Sequence, residues 1–524
     1  MVGLGGCGCE WAWALVKWAA LVFALVLLYV LHVMVLKPYL FYRKYKQYPN
    51  VKSRESFLPI LGDIKEHVDC MKNNGAHYVY MKNRADEFNK YDLRAKLDGV
   101  DPNIMIQSNK ALEEFVSMQG TKIDKIDTTV GPSAVILKSI ITNQSSPEVM
   151  RRKKSMLSWL ALNSASRYIL DMIKCIERVC NDMKNRKEAD LIHEMNVFTF
   201  DVFSDILFGD DVKELVTKLY PYENPDGTTE MIELREILIR LLKAYMNHIF
   251  HPLCYVFTFI KEMGLVNPFK RDTKNRNTFK KAIFDIVKNS KEQKTAYHIF
   301  NDPIADEETK LDEVCAILVA GSETTSHSLV ACCYFLNKYP DTLKKLRQEL
   351  QENGLGKGAN FAEACTMEKI QSLTYLNCCV KEALRCDIVL AQSFSYSPKE
   401  DIQICNVPIP KGTQIRIDLV SSHFDSDKWL DEYEFIPERH DLESEYFAKL
   451  KQSGKKPETY SRRSFSHGMR KCPGQTFAML EMKVAIAYIV THLDLKFKEE
   501  DLQNENIGFG LGSHLSPIVE VQEL

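Results

Sequence analysis

Between Trp18 and Leu36 the chain reads WAALVFALVLLYVLHVMVL, without one Asp, Glu, Lys or Arg. Such a run leaves few ways to fold. A helix this long and apolar either crosses a bilayer, which takes about 20 residues, or lies wholly inside a large core. It exceeds a secretory leader's apolar core, and no small-residue cleavage site follows. Lys37, Arg43, Lys44 and Lys46 come directly after it, against Lys17 alone before it, so the positive-inside rule puts the rest of the chain on the cytoplasmic side. Trp11, Trp13 and Trp18 suit an interfacial belt. The expectation is a membrane anchor over residues 1–37 and one folded body over 38–524.

Composition limits what that body does. Hydrophobic residues at 45% and charged residues at 26% are ordinary globular values, and a formal charge of -2 gives no bias toward nucleic acid. No repeat period or Gly/Ser-rich linker divides the chain of 524 residues. Its fifteen cysteines are expected as free thiols in a reducing compartment. No paired C-x-x-C and no C-x-x-C-H occurs, so neither a structural zinc nor a covalently attached haem is indicated.

From Pro147 to about Ile299 the pattern is mostly helical, with amphipathic stretches at MLSWLALNSASRYILDMIKCIERV and TTEMIELREILIRLLKAYMNHIF. A long apolar helix is expected from about Leu311 to the residue before Pro340, and another from near Tyr375. DIQICNVPIPKGTQIRIDLVSSHF alternates and is rich in β-branched residues, which predicts a hairpin in a small sheet. The fold class is mainly α with a small β-sheet region.

One thiol has unusual surroundings. In FSHGMRKCPGQTFAML, Gly468 and Gly474 allow tight turns or close approaches, Pro473 fits a first helical turn, and Phe477, Leu480, Val484, Ala485, Ala487 and Ile489 recur at helical spacing. Cys472 therefore sits at or just before a helix N-terminus, where free N–H groups and the helix dipole favour a thiolate. Arg470 and Lys471 add positive charge. The plainer reading is a buried Cys at a loop-to-helix junction.

Three further clusters stand out. AGSETTSH interrupts the long apolar helix, where Gly321 costs about 1 kcal/mol relative to Ala and Thr hydroxyls can bond back to carbonyls and open a small notch beside Glu323 and Thr324. EALR puts Glu382 and Arg385 at i, i+3 in apolar sequence, and a buried pair there needs a further partner such as Arg439 of FIPERH. Finally, Arg151, Arg152, Lys153 and Lys154 with Arg462, Arg463, Arg470 and Lys471 either form a solvated face or a positive patch for an acidic partner protein.

Taken together these residues resemble the cytochrome P-450 superfamily, from the anchor to the C-terminal strands. Phe465, Gly468, Arg470, Cys472 and Gly474 match its haem-binding signature, AGSETT its oxygen-activation stretch, and Glu382, Arg385 and Arg439 its Glu-x-x-Arg network. The resemblance implies a haem-thiolate catalytic domain over 38–524, with Cys472 the axial ligand of the iron in haem b (iron protoporphyrin IX). It also implies Glu323 and Thr324 as the acid and alcohol that handle protons, and Arg470 and Arg152 as propionate partners. Glu148 stands where the family often has Trp, no Pro pair with a further Arg follows EALR, and His440 replaces an aromatic.

The implied activity is insertion of one atom of O2 into an apolar small molecule such as a lipid, sterol or xenobiotic. Electrons would come from an NADPH-dependent reductase, with cytochrome b5 as a second donor, at the cytoplasmic face of the endoplasmic reticulum membrane with its lipid. Two rivals stand beside it: a haem-thiolate isomerase or dehydratase acting on a peroxide without reductase, and a non-catalytic haem-binding membrane protein.

Overall fold

The structure is a computed structural model that describes residues 7–63, 65–66, 69–70, 77–98, 100–126, 135–248, 269–455, 457–504, 507–510 and 516–524. Residues 249–268, within the expected helical run, lie outside these. The N-terminal run is helical over Cys7–Leu31, passes through one wide turn at His32–Leu36, and continues as helix Lys37–Tyr45. Pro38 accounts for the wide turn, because its ring cannot tolerate the carbonyl four residues back in a regular helix. Within Trp13–Tyr45 an 18-residue stretch reaches a mean hydropathy of 2.7 with none of it buried, which makes this helix the candidate anchor. Residue 37, the expected boundary, falls inside the rod. The rod is fixed to the body at its far end, where Tyr45 is buried and its hydroxyl donates to the Pro408 carbonyl at 3.2 Å.

The body is mainly helical with small sheets, as expected. A central helix, Glu307–Lys338, packs against Leu191–Leu207, Thr374–Cys386 and Gln475–His492. Its N-terminus is capped by Asp306, whose carboxylate accepts from Thr309 N at 2.7 Å. It is polar at scattered positions yet buried nearly all round, the mark of a core helix. A second core lies under a six-stranded sheet in which Leu93–Asp98 and Asp101–Ile106 pair antiparallel and Gln414–Ile417 lies parallel to the latter.

Three readings of the sequence change. The hairpin forms, as Ile402–Ile404 with Val407–Ile409 around left-handed Cys405 and Asn406 (φ 49° and 62°), but Gln414–Ile417 leaves it for the larger sheet. MLSWLALNSASRYILDMIKCIERV is not one helix: Pro147–Trp159 ends, a short Leu162–Ala165 turn follows, and Ile169–Arg186 begins. Thr229–Glu233, expected to start an amphipathic helix, is a strand paired antiparallel with Leu219–Glu223, and the helix starts only at Leu234. Partnering across the Asn-Pro-Asp-Gly turn overrides a weak helical period there.

Candidate active site

The Cys472 loop is built from backbone. Cys472 N donates to the Phe465 carbonyl (3.0 Å) and Lys471 N to the Gly468 carbonyl (3.1 Å), closing a tight loop, while the Phe465 ring packs against the helical core. Gly468 is required there. Its φ is 78°, and a Cβ would stand 2.1 Å from Oε1 of Gln119, the atom that accepts from Met469 N at 2.9 Å. The helix then runs Gln475–His492 with Gly474 as its cap, so Cys472 precedes the helix by a short turn and Pro473 lies outside it. Burial pushes the thiol above its ordinary pKa, opposed by the Gly474 and Gln475 amides and by the charges of Lys153 and Lys125. Burial of this partly covered thiol thus outweighs the helix terminus that the sequence suggested would dominate.

Those lysines belong to a cation cluster. Lys125 is buried, its Nζ donating to the Ile141 carbonyl and lying 4.9 Å from the Phe394 ring. Lys153 Nζ reaches the Met469 and Lys471 carbonyls, and Arg470 donates to Ser145 Oγ (2.9 Å), to the Asn143 carbonyl (3.0 Å) and to Ile140 O. Burial and then Arg470 hold Lys153 down to about 8, and burial with Arg470 and Lys153 holds Lys125 well below the usual lysine range. Asp124 is the near carboxylate, and it already accepts from Ser145 and Lys399. Buried like charges of this kind gain from an anion between them.

Arg152 does not join them. Its guanidinium pairs with Glu313 and donates to the Lys138 carbonyl, so the neighbouring Lys153 is the side chain that the helix turns toward the Cys loop. Nor do the eight cations form one surface patch: Arg463 is wholly buried, donating to the carbonyls of Tyr460, Asp418 and Gln107, and Lys153 and Arg470 are buried too. Lys154 and Lys471 are exposed, flanking a shallow groove with Met150, Leu157 and Met469.

The central helix stays closed through AGSETTSH, with Thr324 Oγ1 donating back to the Ala320 carbonyl at 2.8 Å. Gly321 has a packing reason: a Cβ would meet the Phe203 ring at 2.4 Å. The expected notch is therefore filled on that side. On the adjoining face Ala320 is exposed and Thr324 half-buried, although the helix around them is buried, so an open surface passes through this i, i+4 pair. Glu323 is buried, with Oε2 at 3.5 Å from His327 Nε2.

Glu382, Arg385 and Arg439 do come together. Glu382 accepts from Arg385 Nε (2.9 Å) and Nη2 (2.8 Å) and from Arg439 Nε (2.7 Å), and the two guanidinium groups reach on to the carbonyls of His423, Leu430, Asp431, Glu432 and Glu434. Burial alone would raise the Glu382 pKa, but Arg385, Arg439 and a hydrogen bond from His440 carry it well below the carboxylate range. His440 is a fourth member that sequence reasoning missed. Its Nε2 lies 2.7 Å from Glu382 Oε2, and burial holds it down to about 4, against the pull of Glu382.

A family sequence model described as Cytochrome P450 matches residues 59–519. The chain belongs to the cytochrome P450 family. Rabbit cytochrome P450 3A6 is 23% identical over 84% of this chain and 85% of its own length, and mouse cytochrome P450 3A13 is 26% identical over 72% and 75%. Pig cytochrome P450 3A29 is 30% identical, over 38% of this chain and 37% of its own length. Among solved structures, retinoic acid bound cyanobacterial CYP120A1 superposes with a TM-score of 0.66 at 17% identity, covering 89% of this chain and 98% of that one, which shows the fold. As a P450 the protein is a haem-thiolate enzyme of the monooxygenase class, and its residues fit haem. A thiol faces two backbone amides, a buried excess of cations lies beside it, and Gly474 leaves room that a Cβ would take 3.8 Å from the Cys472 sulfur.

Proposed function

We propose that this P450 oxygenates an apolar small molecule, taking its electrons from an NADPH-dependent reductase, with cytochrome b5 as a second donor. It would work from the cytoplasmic face of the endoplasmic reticulum, with Trp13–Tyr45 as its membrane anchor. The observation that carries this reading is the pairing of Cys472, partly buried beside two backbone amides, with the buried cations Lys125, Lys153 and Arg470. Haem b, when bound, supplies oxygen activation through an iron made electron-rich by its thiolate ligand.

The chain's own residues do the rest. Cys472 gives the thiolate, and the Gly474 and Gln475 amides steady its charge. Lys125, Lys153 and Arg470 are the cations that would hold the propionate carboxylates of haem, with Lys153 in place of Arg152. Thr324 offers a hydroxyl on the open face of the central helix, and Glu323 a carboxyl one residue away, as the pair that delivers protons. Leu390 and Phe394, each more than a third exposed, offer apolar surface that suits a greasy substrate.

The test is the carbon monoxide difference spectrum of the reduced holoprotein. A strongly red-shifted Soret band, lost in Cys472→Ala, is the expected result. Bound haem without that band would overturn the reading. With a substrate in hand, Thr324→Ala should retain the band yet divert electrons to peroxide, and unchanged coupling would remove Thr324 from the proton path.

A further inference from the structure

AGSETTSH contains one residue that the proposed chemistry leaves unused. His327 lies one helical turn beyond Glu323, is 6% exposed, and touches both Glu323 and the C-terminal loop. Its Nδ1 is hydrogen-bonded to the Phe509 carbonyl. A carbonyl oxygen only accepts, so Nδ1 carries a proton and the imidazole's remaining nitrogen, Nε2, is the one presented to Glu323 Oε2 at 3.5 Å. That leaves the Nε2 edge of the ring as the face set against the acid's carboxyl group.

The tether is itself held. Phe509 N donates to Asp387 Oδ2 at 2.9 Å, the Phe509 ring meets Tyr334 edge-on at 5.2 Å, and the Tyr78 hydroxyl lies 3.3 Å from Asp387 Oδ2 and 3.1 Å from the Ile507 carbonyl. Asp387 directly follows the helix that carries Glu382 and Arg385. The Cβ that residue 510 lacks would stand 2.9 Å from the Ile388 carbonyl, so the loop is pressed close to that segment by Gly510. Segments distant in sequence thus converge on the loop that holds the imidazole. Among the described residues, Glu323 makes no other ion pair.

We propose that His327 is the positioning residue for Glu323: anchored through Nδ1 to the C-terminal loop, it fixes the rotamer of the acid beside Thr324. The inference rests on the monooxygenase reading of the site and adds a residue to it. It assigns the C-terminal loop a role too, since displacing Phe509 would turn the imidazole and with it the acid.

Asn and Gln separate the two contacts of His327. Asn keeps an amide near the Nδ1 position, facing Phe509 O, and removes the group facing Glu323; Gln places an amide nearer the Nε2 position. The holoenzyme of each variant is compared with wild type, Glu323→Gln and the double variant, using carbon monoxide as an infrared probe of the distal side. The fraction of electrons released as peroxide in substrate-free, reductase-driven NADPH oxidation is the second readout. The expected result is that His327→Asn keeps the red-shifted Soret band and the wild-type melting temperature. It should nonetheless shift or split the C–O stretch and raise the ratio of peroxide to water about tenfold, the scale on which a residue supporting an active group acts. His327→Gln should recover part of this, and Glu323→Gln/His327→Asn should match Glu323→Gln alone. A wild-type C–O stretch and peroxide ratio in His327→Asn, or effects that multiply in the double variant, would overturn the proposal while leaving the monooxygenase reading intact. Loss of the Soret band in wild type would overturn both.

Discussion

Glu382 keeps its negative charge with no exposure to solvent because two guanidinium groups and an imidazole surround it. Neutralising it in Glu382→Gln leaves Arg385 and Arg439 buried without a counter-ion, so the stability loss should be about 3–5 kcal/mol, with haem incorporation falling alongside it in expression trials. His440→Phe removes one hydrogen bond to a buried carboxylate and should cost less, about 1.5–3 kcal/mol. If the two variants melt together at the wild-type temperature, the network does not hold the fold. EALR and FIPERH were legible as a network in the sequence because residue type and i, i+3 spacing carry the signal. His440 was visible there only as a departure, since its partnership with Glu382 spans 58 positions and is set by tertiary packing.

On the scale of an element, the helix that follows Cys472 carries an acid at its centre. Glu481 is wholly buried, neither of its carboxyl oxygens has a hydrogen-bond partner, and Thr325 approaches without closing one. Burial lifts its pKa well above the ordinary 4.5. Below that value folded and unfolded chains both hold the proton and no difference arises; above it the unfolded chain ionises first and the folded state loses ground. Glu481→Gln should therefore gain stability over wild type as pH rises above about 4.5, by up to about 1.4 kcal/mol per pH unit until the folded pKa is passed. Urea melts at pH 5 and pH 7.5 would show it, and parallel curves for the two proteins would refute it. The helix itself was readable from its apolar spacing. Thr229–Glu233 was not, because a strand that owes its existence to a partner ten residues earlier leaves only a weak local trace. Lys125 escaped notice, and Lys153 was read only as part of a solvated face or surface patch, for a related reason: a lysine in a charged run looks solvated until the fold closes over it.

For the molecule as a whole, the mainly helical class and the order of the motifs could be read in advance, whereas the surface could not. Of the eight cations considered as one patch, burial removes Arg463, Lys153 and Arg470, and what faces solvent around the groove is Lys154 and Lys471. Lys154→Glu with Lys471→Glu should slow electron delivery from a reductase several-fold at low salt, with the difference shrinking as ionic strength rises. Equal reduction rates in stopped flow would place the dock elsewhere. The N-terminal rod adds a constraint of another kind. Helix runs without a break in winding from Cys7 through the wide turn to Tyr45, whose ring is sealed in the body. Such a rod behaves as a keyed shaft. One extra residue between Leu31 and Tyr45 would turn the body by about 100° about the shaft and raise it about 1.5 Å, whereas seven would restore its heading at about 10 Å greater reach. With that rod held in a bilayer, as proposed above, the compass bearing of the catalytic mouth would be written into the count of residues in its stem.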